Sequence, residues 1–174
     1  METVLIILGT AVIVFILLYL LAPLKYEVSS NVVIEKPLPE VFEFISHLKN
    51  QEFWSPWGLE DKNLTRSYKG DDGVVGFISS LKGSKRLGEG EQEIINIVPN
   101  RSFETELRFI KPFKATSESF LKVYENGKDT EVIWGFKGIY KRPINIFVFF
   151  LGLDKKLSRD FEIGLSRLKH YLEA

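Results

Sequence analysis

Residues Pro143–Leu172 read PINIFVFFLGLDKKLSRDFEIGLSRLKHYL, and the fold turns on how this stretch is read. Past Gly152 it has a helical period. Leu157, Phe161, Gly164, Leu165, Leu168 and Leu172 recur at three- and four-residue steps, while Asp154, Lys155, Arg159, Asp160, Glu162 and Arg167 take the other face. Before Gly152 stands an apolar run, Ile144–Leu151, broken only by Asn145. A helix with one apolar stripe must lay it against a partner of similar size. The sequence offers the alternating segments between Lys25 and Gly138. The expectation is a sheet that wraps this last helix, with a ligand space between them.

Those segments read as seven strands. Lys25–Lys36 alternates Tyr26, Val28, Ser30, Val32 and Ile34 against Glu27, Ser29, Asn31 and Glu35. Pro37 and Pro39 end it, and Pro39 opens a short helix carrying Val41, Phe42, Phe44, Ile45 and Leu48. Phe53, Trp54 and Trp57 crowd around Ser55-Pro56, as a pin for that helix, a cavity wall, or both. Further strands are expected at Thr65–Lys69, Val74–Leu81, Gly88–Val98, Ser102–Ile110, Ala115–Glu125 and Thr130–Gly138, with Asn126-Gly127 as the best hairpin turn. Links this short make the sheet antiparallel. Phe103, Thr105, Leu107 and Phe109 oppose Glu104, Glu106, Arg108 and Ile110, and Val132, Trp134 and Phe136 oppose Glu131, Ile133 and Lys137, a pattern of apolar inside and charged outside.

Composition narrows the function. The 23 basic and 23 acidic side chains cancel, and neither sign forms a long block, which argues against a nucleic-acid binder. The chain has no cysteine, so disulfides, thiolate metal sites and cysteine nucleophiles are excluded. Its 14 Phe are ample for lining a cavity.

Val4–Ala22 is uncharged and apolar, and at 1.5 Å per residue spans roughly 28 Å, close to a bilayer core. The rival is a cleaved signal peptide. That reading wants basic residues before the run and a small-x-small site after it, whereas the chain starts Met-Glu-Thr and offers Leu20-Leu21-Ala22-Pro23. The expectation is a single-pass anchor (residues 1–23) ahead of one domain (24–174). Lys25 and Lys36 after the span lean the domain towards the cytoplasm.

The order strand, two short helices, six-strand meander and long helix resembles the START-like (SRPBCC) superfamily, the Bet v 1-like helix-grip fold. The residues that carry the likeness are Pro39-Glu40-Val41-Phe42-Glu43-Phe44-Ile45, Trp54-Ser55-Pro56-Trp57, Gly88-Glu89-Gly90, Phe109-Ile110-Lys111-Pro112-Phe113, Thr130-Glu131-Val132-Ile133-Trp134 and Asp160-Phe161-Glu162-Ile163-Gly164-Leu165. They cover Lys25–Leu172, and the group most resembled is the polyketide cyclase/dehydrase type with an N-terminal membrane segment. The resemblance implies an α+β fold, a seven-stranded curved sheet around the C-terminal helix, with a deep apolar cavity. Its lining would include Trp54, Trp57, Phe77, Leu107, Phe109, Phe120 or its neighbour Leu121, Trp134, Phe136, Phe150, Phe161 and Leu165. Core packing accounts for each of these equally well. The implied partner is an apolar small molecule or lipid, with no cofactor.

Chemistry is harder to find in the sequence. His47 and His170 are far apart and flanked by polar residues, no cluster has metal-ligand spacing, and no phosphate-cradle or nucleophile-elbow motif appears. Glu91 and Glu93 run in phase with Ile95 and Ile97, so a bulge is needed, or a carboxylate faces inward and serves as acid or base. Ser79, Thr105, Ser117 and Ser119 are available as cavity polar groups but identify no reaction. The favoured function is a membrane-anchored binder of an apolar ligand. The alternative is a cyclase or aromatase acting in the same cavity. A third, a module docking on a chaperone or ribosome, requires an apolar outer face, and the outer positions are charged.

Overall fold

Seven alternating segments pair into one antiparallel sheet in the computed structural model, which describes residues 2–21, 24–59, 61, 63–84, 87–112, 114–139, 142 and 153–174. The elements run α1 (Glu2–Leu21), β1 (Lys25–Ile34), α2 (Leu38–Ile45), a 3-10 turn (Leu48–Asn50), α3 (Gln51–Trp54), α4 (Pro56–Leu59), β2 (Thr65–Lys69), β3 (Ile78–Lys82), β4 (Glu89–Val98), β5 (Ser102–Lys111), β6 (Ala115–Asn126), β7 (Asp129–Ile139) and α5 (Leu153–Glu173). The strand order is β1-β7-β6-β5-β4-β3-β2: β2 to β7 meander, and β1 crosses over to pair with β7. The apolar half of the opening stretch, Pro143–Gly152, lies outside the described residues.

α5 grips the sheet along β1. The two run in the same direction, since Ser30 Oγ donates to the Ser158 carbonyl at 3.1 Å and Lys169 Nζ to the Val33 carbonyl at 2.7 Å. A bare strand edge invites unwanted pairing, and α5 covers this one. The stripe read in the sequence is the buried one: Phe161, Leu165 and Leu168 join a core with Ile34, Val132 and Trp134. α2 closes the far end, laying Leu38, Val41, Phe42 and Ile45 towards β6 and β7.

The end of the grip is a charged clasp. The Glu35 backbone N–H donates to Glu173 at 2.6 Å, and Lys169 lies 3.1 Å from the same carboxylate. The Glu35 N–H first, then Lys169, hold the Glu173 carboxyl below its ordinary value. A folded-state pKa that is depressed adds stability above the unfolded value and loses it as pH falls through the folded one. The clasp is therefore expected to hold at neutral pH and to release only below the ordinary glutamate range. The Glu35 amide proton shift, followed by NMR, should titrate with a midpoint below that of an exposed glutamate. A midpoint at or above that value removes the clasp.

Most strand ends fall within one or two residues of the sequence expectation, but β3 does not, and β4 carries a bulge. β3 starts at Ile78, not Val74, because the chain first turns through Gly73 and Gly76, both at positive φ, leaving Val74 and Val75 exposed. In β4 the conflict of phase is settled by a register shift between Ile94 and Asn96. Gln92 and Ile94 are buried before the shift, Ile97 packs against the core after it, and Ile95 is exposed.

Glu91 and Glu93 consequently face outward, which corrects the possibility of an inward carboxylate. They meet Arg108 at 3.3 and 2.6 Å, and Glu106 joins at 2.7 Å. The hydrogen bonds it donates to Glu106 and then Glu93 raise the guanidinium's pKa. Arg108→Leu would leave three carboxylates facing one another on adjacent strands, so a loss of about 1–2 kcal/mol is expected in denaturant unfolding at pH 7. The deficit should grow at low salt, where repulsion is unscreened. An unchanged midpoint would make the cluster ornamental.

α1 is one helix long and apolar enough to cross a membrane, and the domain buries none of its span. Its last turn does meet the domain. Arg142 donates to the Leu20 carbonyl at 3.4 Å and lies 4.9 Å from the centre of the Tyr19 ring.

Candidate functional site

Alternate residues of each strand face the concave side, and the antiparallel register lines them up in rows across the sheet. One row holds Phe103, Leu121, Trp134 and Ser30. The next holds Ile94, Thr105, Ser119, Phe136 and Val28. The third holds Ser79, Gln92, Leu107 and Ser117, with Tyr26 reaching Ser117 from β1. Along the strands, the concave face passes from aromatic to polar as it nears the end where α1 joins.

The aromatic part is built on Trp134, which projects from β7. Trp54 meets it edge-on with centroids 4.7 Å apart, Phe161 of α5 lies at 4.9 Å and Trp57 at 5.3 Å. Phe136 stacks on Trp57 at 5.3 Å and meets Phe161 edge-on at 4.8 Å. Gly164 lets α5 come down on this group. A β-carbon there would sit 2.5 Å from Trp134 Cζ3 and 3.0 Å from Pro56 Cδ.

The polar part is hydrogen-bonded within itself. Gln92 Nε2 donates to Thr105 Oγ1 at 2.9 Å, Trp134 Nε1 to Ser119 Oγ at 3.3 Å, and the Tyr26 and Ser117 hydroxyls are 2.9 Å apart. Ser79, Gln92, Thr105, Ser117 and Ser119 are all buried. Trp54 Nε1 is buried with no acceptor among the described residues. The paired groups avoid the roughly 1–3 kcal/mol that a buried polar group costs when it has no partner.

The expected lining residues separate into groups. Trp54, Trp57, Trp134, Phe136, Phe161 and Leu165 come together, and Phe77 and Leu107 extend the same core. Phe109 does not join them: it is 44% exposed near the end of β5, past the last enclosed row. Phe120 is buried on the other face. It takes the space that a side chain on Gly135 would fill, and Lys122 lies over its ring. Its neighbour Leu121 is the concave residue, as alternation with Ser117, Ser119 and Val123 requires. Phe150 lies outside the described residues.

Gln92 and Tyr26 were the concave polar groups missed in the sequence. Gln92 stands two residues before Ile94, but reading phase from Ile95 and Ile97 hid it. Among the described residues no carboxylate or histidine stands in these rows. His47 lies against the Glu43 carbonyl at 2.9 Å, and His170 is exposed.

Two concave pockets lined by described residues lie elsewhere. One of about 650 Å³ is an open groove lined by Glu40, Glu43, Phe44, His47, Lys49 and Leu172, among others. The other, about 190 Å³, sits at the start of β2 and the end of β3. Between sheet and α5 the described aromatic side chains pack against one another.

No protein-family model matches the chain, and no curated protein sequence does. Solved structures do. Staphylococcus aureus protein SA2116 superposes with a TM-score of 0.64 at 11% identity over 86% of this chain and 94% of its own. DynU16, a protein of the dynemicin biosynthetic locus, gives 0.59 at 15% identity over 85% of this chain, which spans only 47% of DynU16. Ara h 8.0201 gives 0.55 at 9% identity over 86% of this chain and 98% of its own. Topology, grip and these likenesses agree: the chain has the Bet v 1-like helix-grip fold.

Proposed function

We propose that this chain is a binding module for a small, mainly apolar molecule carrying one or two polar groups, held between the concave face and α5. In this reading residues 1–23 anchor the domain, residues 24–174, to a membrane. The observation that carries it is the buried row of hydroxyl and amide groups beside the Trp54–Trp57–Trp134–Phe161 cluster. Such a floor suits a ligand with a lipid-like or polycyclic body: rings pack on the aromatics and a hydroxyl or carbonyl meets Thr105, Gln92 or Ser117. The START-like resemblance supports the same ligand class.

The test is native mass spectrometry of the full chain, extracted from its host membrane in mild detergent, for a bound apolar molecule. The Thr105→Val variant sharpens it. It removes a buried hydroxyl from the polar floor and leaves Gln92 Nε2 without its acceptor, so stability should fall by about 1–3 kcal/mol while bound ligand falls about tenfold. A chain that carries nothing from membranes rich in its native lipids, in either form, defeats this reading.

A second reading, a cyclase-type reaction in the same space, is favoured by the Tyr26–Ser117 hydroxyl pair, which stands where a proton could be passed to a bound carbonyl. Tyr26→Phe should then abolish turnover of a cyclising polyketone while leaving its binding within a few-fold. Loss of binding alone would return Tyr26 to ligand contact.

A further inference from the structure

Seen by strand ends, the domain is electrically polarised, although its total formal charge is zero. β1 starts, β7 ends and β6 starts at one end, since Lys25 pairs with Ile139 and Phe109 with Ala115. The first turn of α5 is there too, because α5 runs with β1 and Ser158 lies beside Ser30. This end presents Lys25, Lys114, Arg142, Lys155 and Lys156, all exposed. Lys82 and Lys111 add to it, sharing Glu89 at 3.6 and 3.0 Å. Among the described residues the other acids here include Glu27, Asp61, which accepts from the Ser84 N–H at 2.6 Å, and Asp154. Exposed apolar side chains stand among the lysines: Leu24, Phe109, Ile110 and Ile139, the last 68% exposed.

The opposite end is nearly balanced. Glu35, Asp71, Asp72, Glu125, Asp129 and Glu173 stand there with Lys36, Lys69, Arg101, Lys128 and Lys169. α1 leaves from the basic end, where Arg142 meets Tyr19 and Leu20.

We propose that the basic end of the sheet docks on the anionic headgroups of the same bilayer that α1 enters. The proposal rests on reading α1 as a membrane anchor. Lys25, Lys114, Arg142, Lys155 and Lys156 meet lipid phosphates, and Phe109, Ile110 and Ile139 sit at the interface, as apolar side chains flanked by basic ones do. Each such lysine is worth about a fivefold change in surface partitioning. The opposite end has no such excess of basic charge, so the domain has one orientation. The polar row is then the row of the concave face nearest the membrane, the source of an apolar ligand. The side of the membrane follows as well: a basic end beside the span and an anionic leaflet both favour the cytoplasmic face.

The chain has no cysteine, so single labels can be placed cleanly. Ala115→Cys and Asn126→Cys lie at the two ends of β6, about 36 Å apart by strand rise. Each full-length variant would carry a fluorophore and be reconstituted in vesicles containing headgroup-quencher lipid. One set of vesicles is pure phosphatidylcholine and the other holds roughly one-third phosphatidylglycerol. Docking requires quenching at 115 to rise at least twofold with anionic lipid and to be reversed by high salt. Position 126 should respond to neither. Charge reversal at Lys25, Lys155 and Lys156 should return position 115 to its phosphatidylcholine value. Quenching at 115 that ignores lipid charge and salt overturns the docking, and a response to added RNA but not to lipid reassigns the surface to nucleic acid. Failure of the anchor reading shows separately, as release of the whole chain from vesicles by alkaline carbonate.

Discussion

Trp134→Ala should lower the stability of the domain by about 3–5 kcal/mol, the largest loss expected from one side chain. The ring is almost fully buried and touches Trp54, Trp57, Phe136 and Phe161. Those neighbours come from α3, α4, β7 and α5, so the cavity left behind cannot be closed by a shift of one element. The Ser119 hydroxyl also loses the Trp134 Nε1–H that it accepts at 3.3 Å. Domains of this size hold about 5–15 kcal/mol in total, so the variant would sit near the unfolding threshold. Near-UV circular dichroism during denaturant unfolding is the direct measurement, because all 3 Trp belong to this cluster. A loss under about 1 kcal/mol would mean that the cluster is a loosely filled pocket, not a packed core.

Gly164→Val is expected to cost on the order of 4 kcal/mol, against a gain in helix propensity of less than about 1 kcal/mol. Its β-carbon would lie 2.5 Å from Trp134 Cζ3, well inside contact distance, and the added methyls have Pro56 on the other side. α5 would have to lift from β7 to admit them. Gly164→Ala should cost less, about 1–3 kcal/mol. The two sites share one space, so their effects should not add: Gly164→Ala in a Trp134→Ala background should be close to neutral. Additive losses in that double-mutant cycle would place the strain of residue 164 somewhere other than the Trp134 ring.

Much of the architecture was legible because it rests on local periods. The 3.6-residue repeat of Leu157, Phe161, Leu165 and Leu168 and the two-residue repeats of β1, β5 and β7 each follow from one element meeting one core. The aromatic half of the site was legible for the same reason, as Trp134 and Phe136 lie in phase with Val132. The polar half was less so. A single extra residue at the β4 bulge reverses phase, turning Gln92 inward and Glu91 and Glu93 outward to Arg108. Phe120 failed for a different reason: it is large and buried, yet the face that buries it is the convex one, where Gly135 leaves a gap across the strand pair.

The sequence by itself determined seven strands, a gripping helix and an apolar span, because periodicity and length are properties of neighbouring residues. Only the tertiary structure decided which polar groups form one floor, since Ser79, Gln92 and Ser117 are brought into a row by register alone. It alone decided the charge polarity too. Lys25, Lys82, Lys111, Lys114, Arg142 and Lys155 are scattered along a chain of balanced charge, and strands that reverse direction at each hairpin gather them at one end.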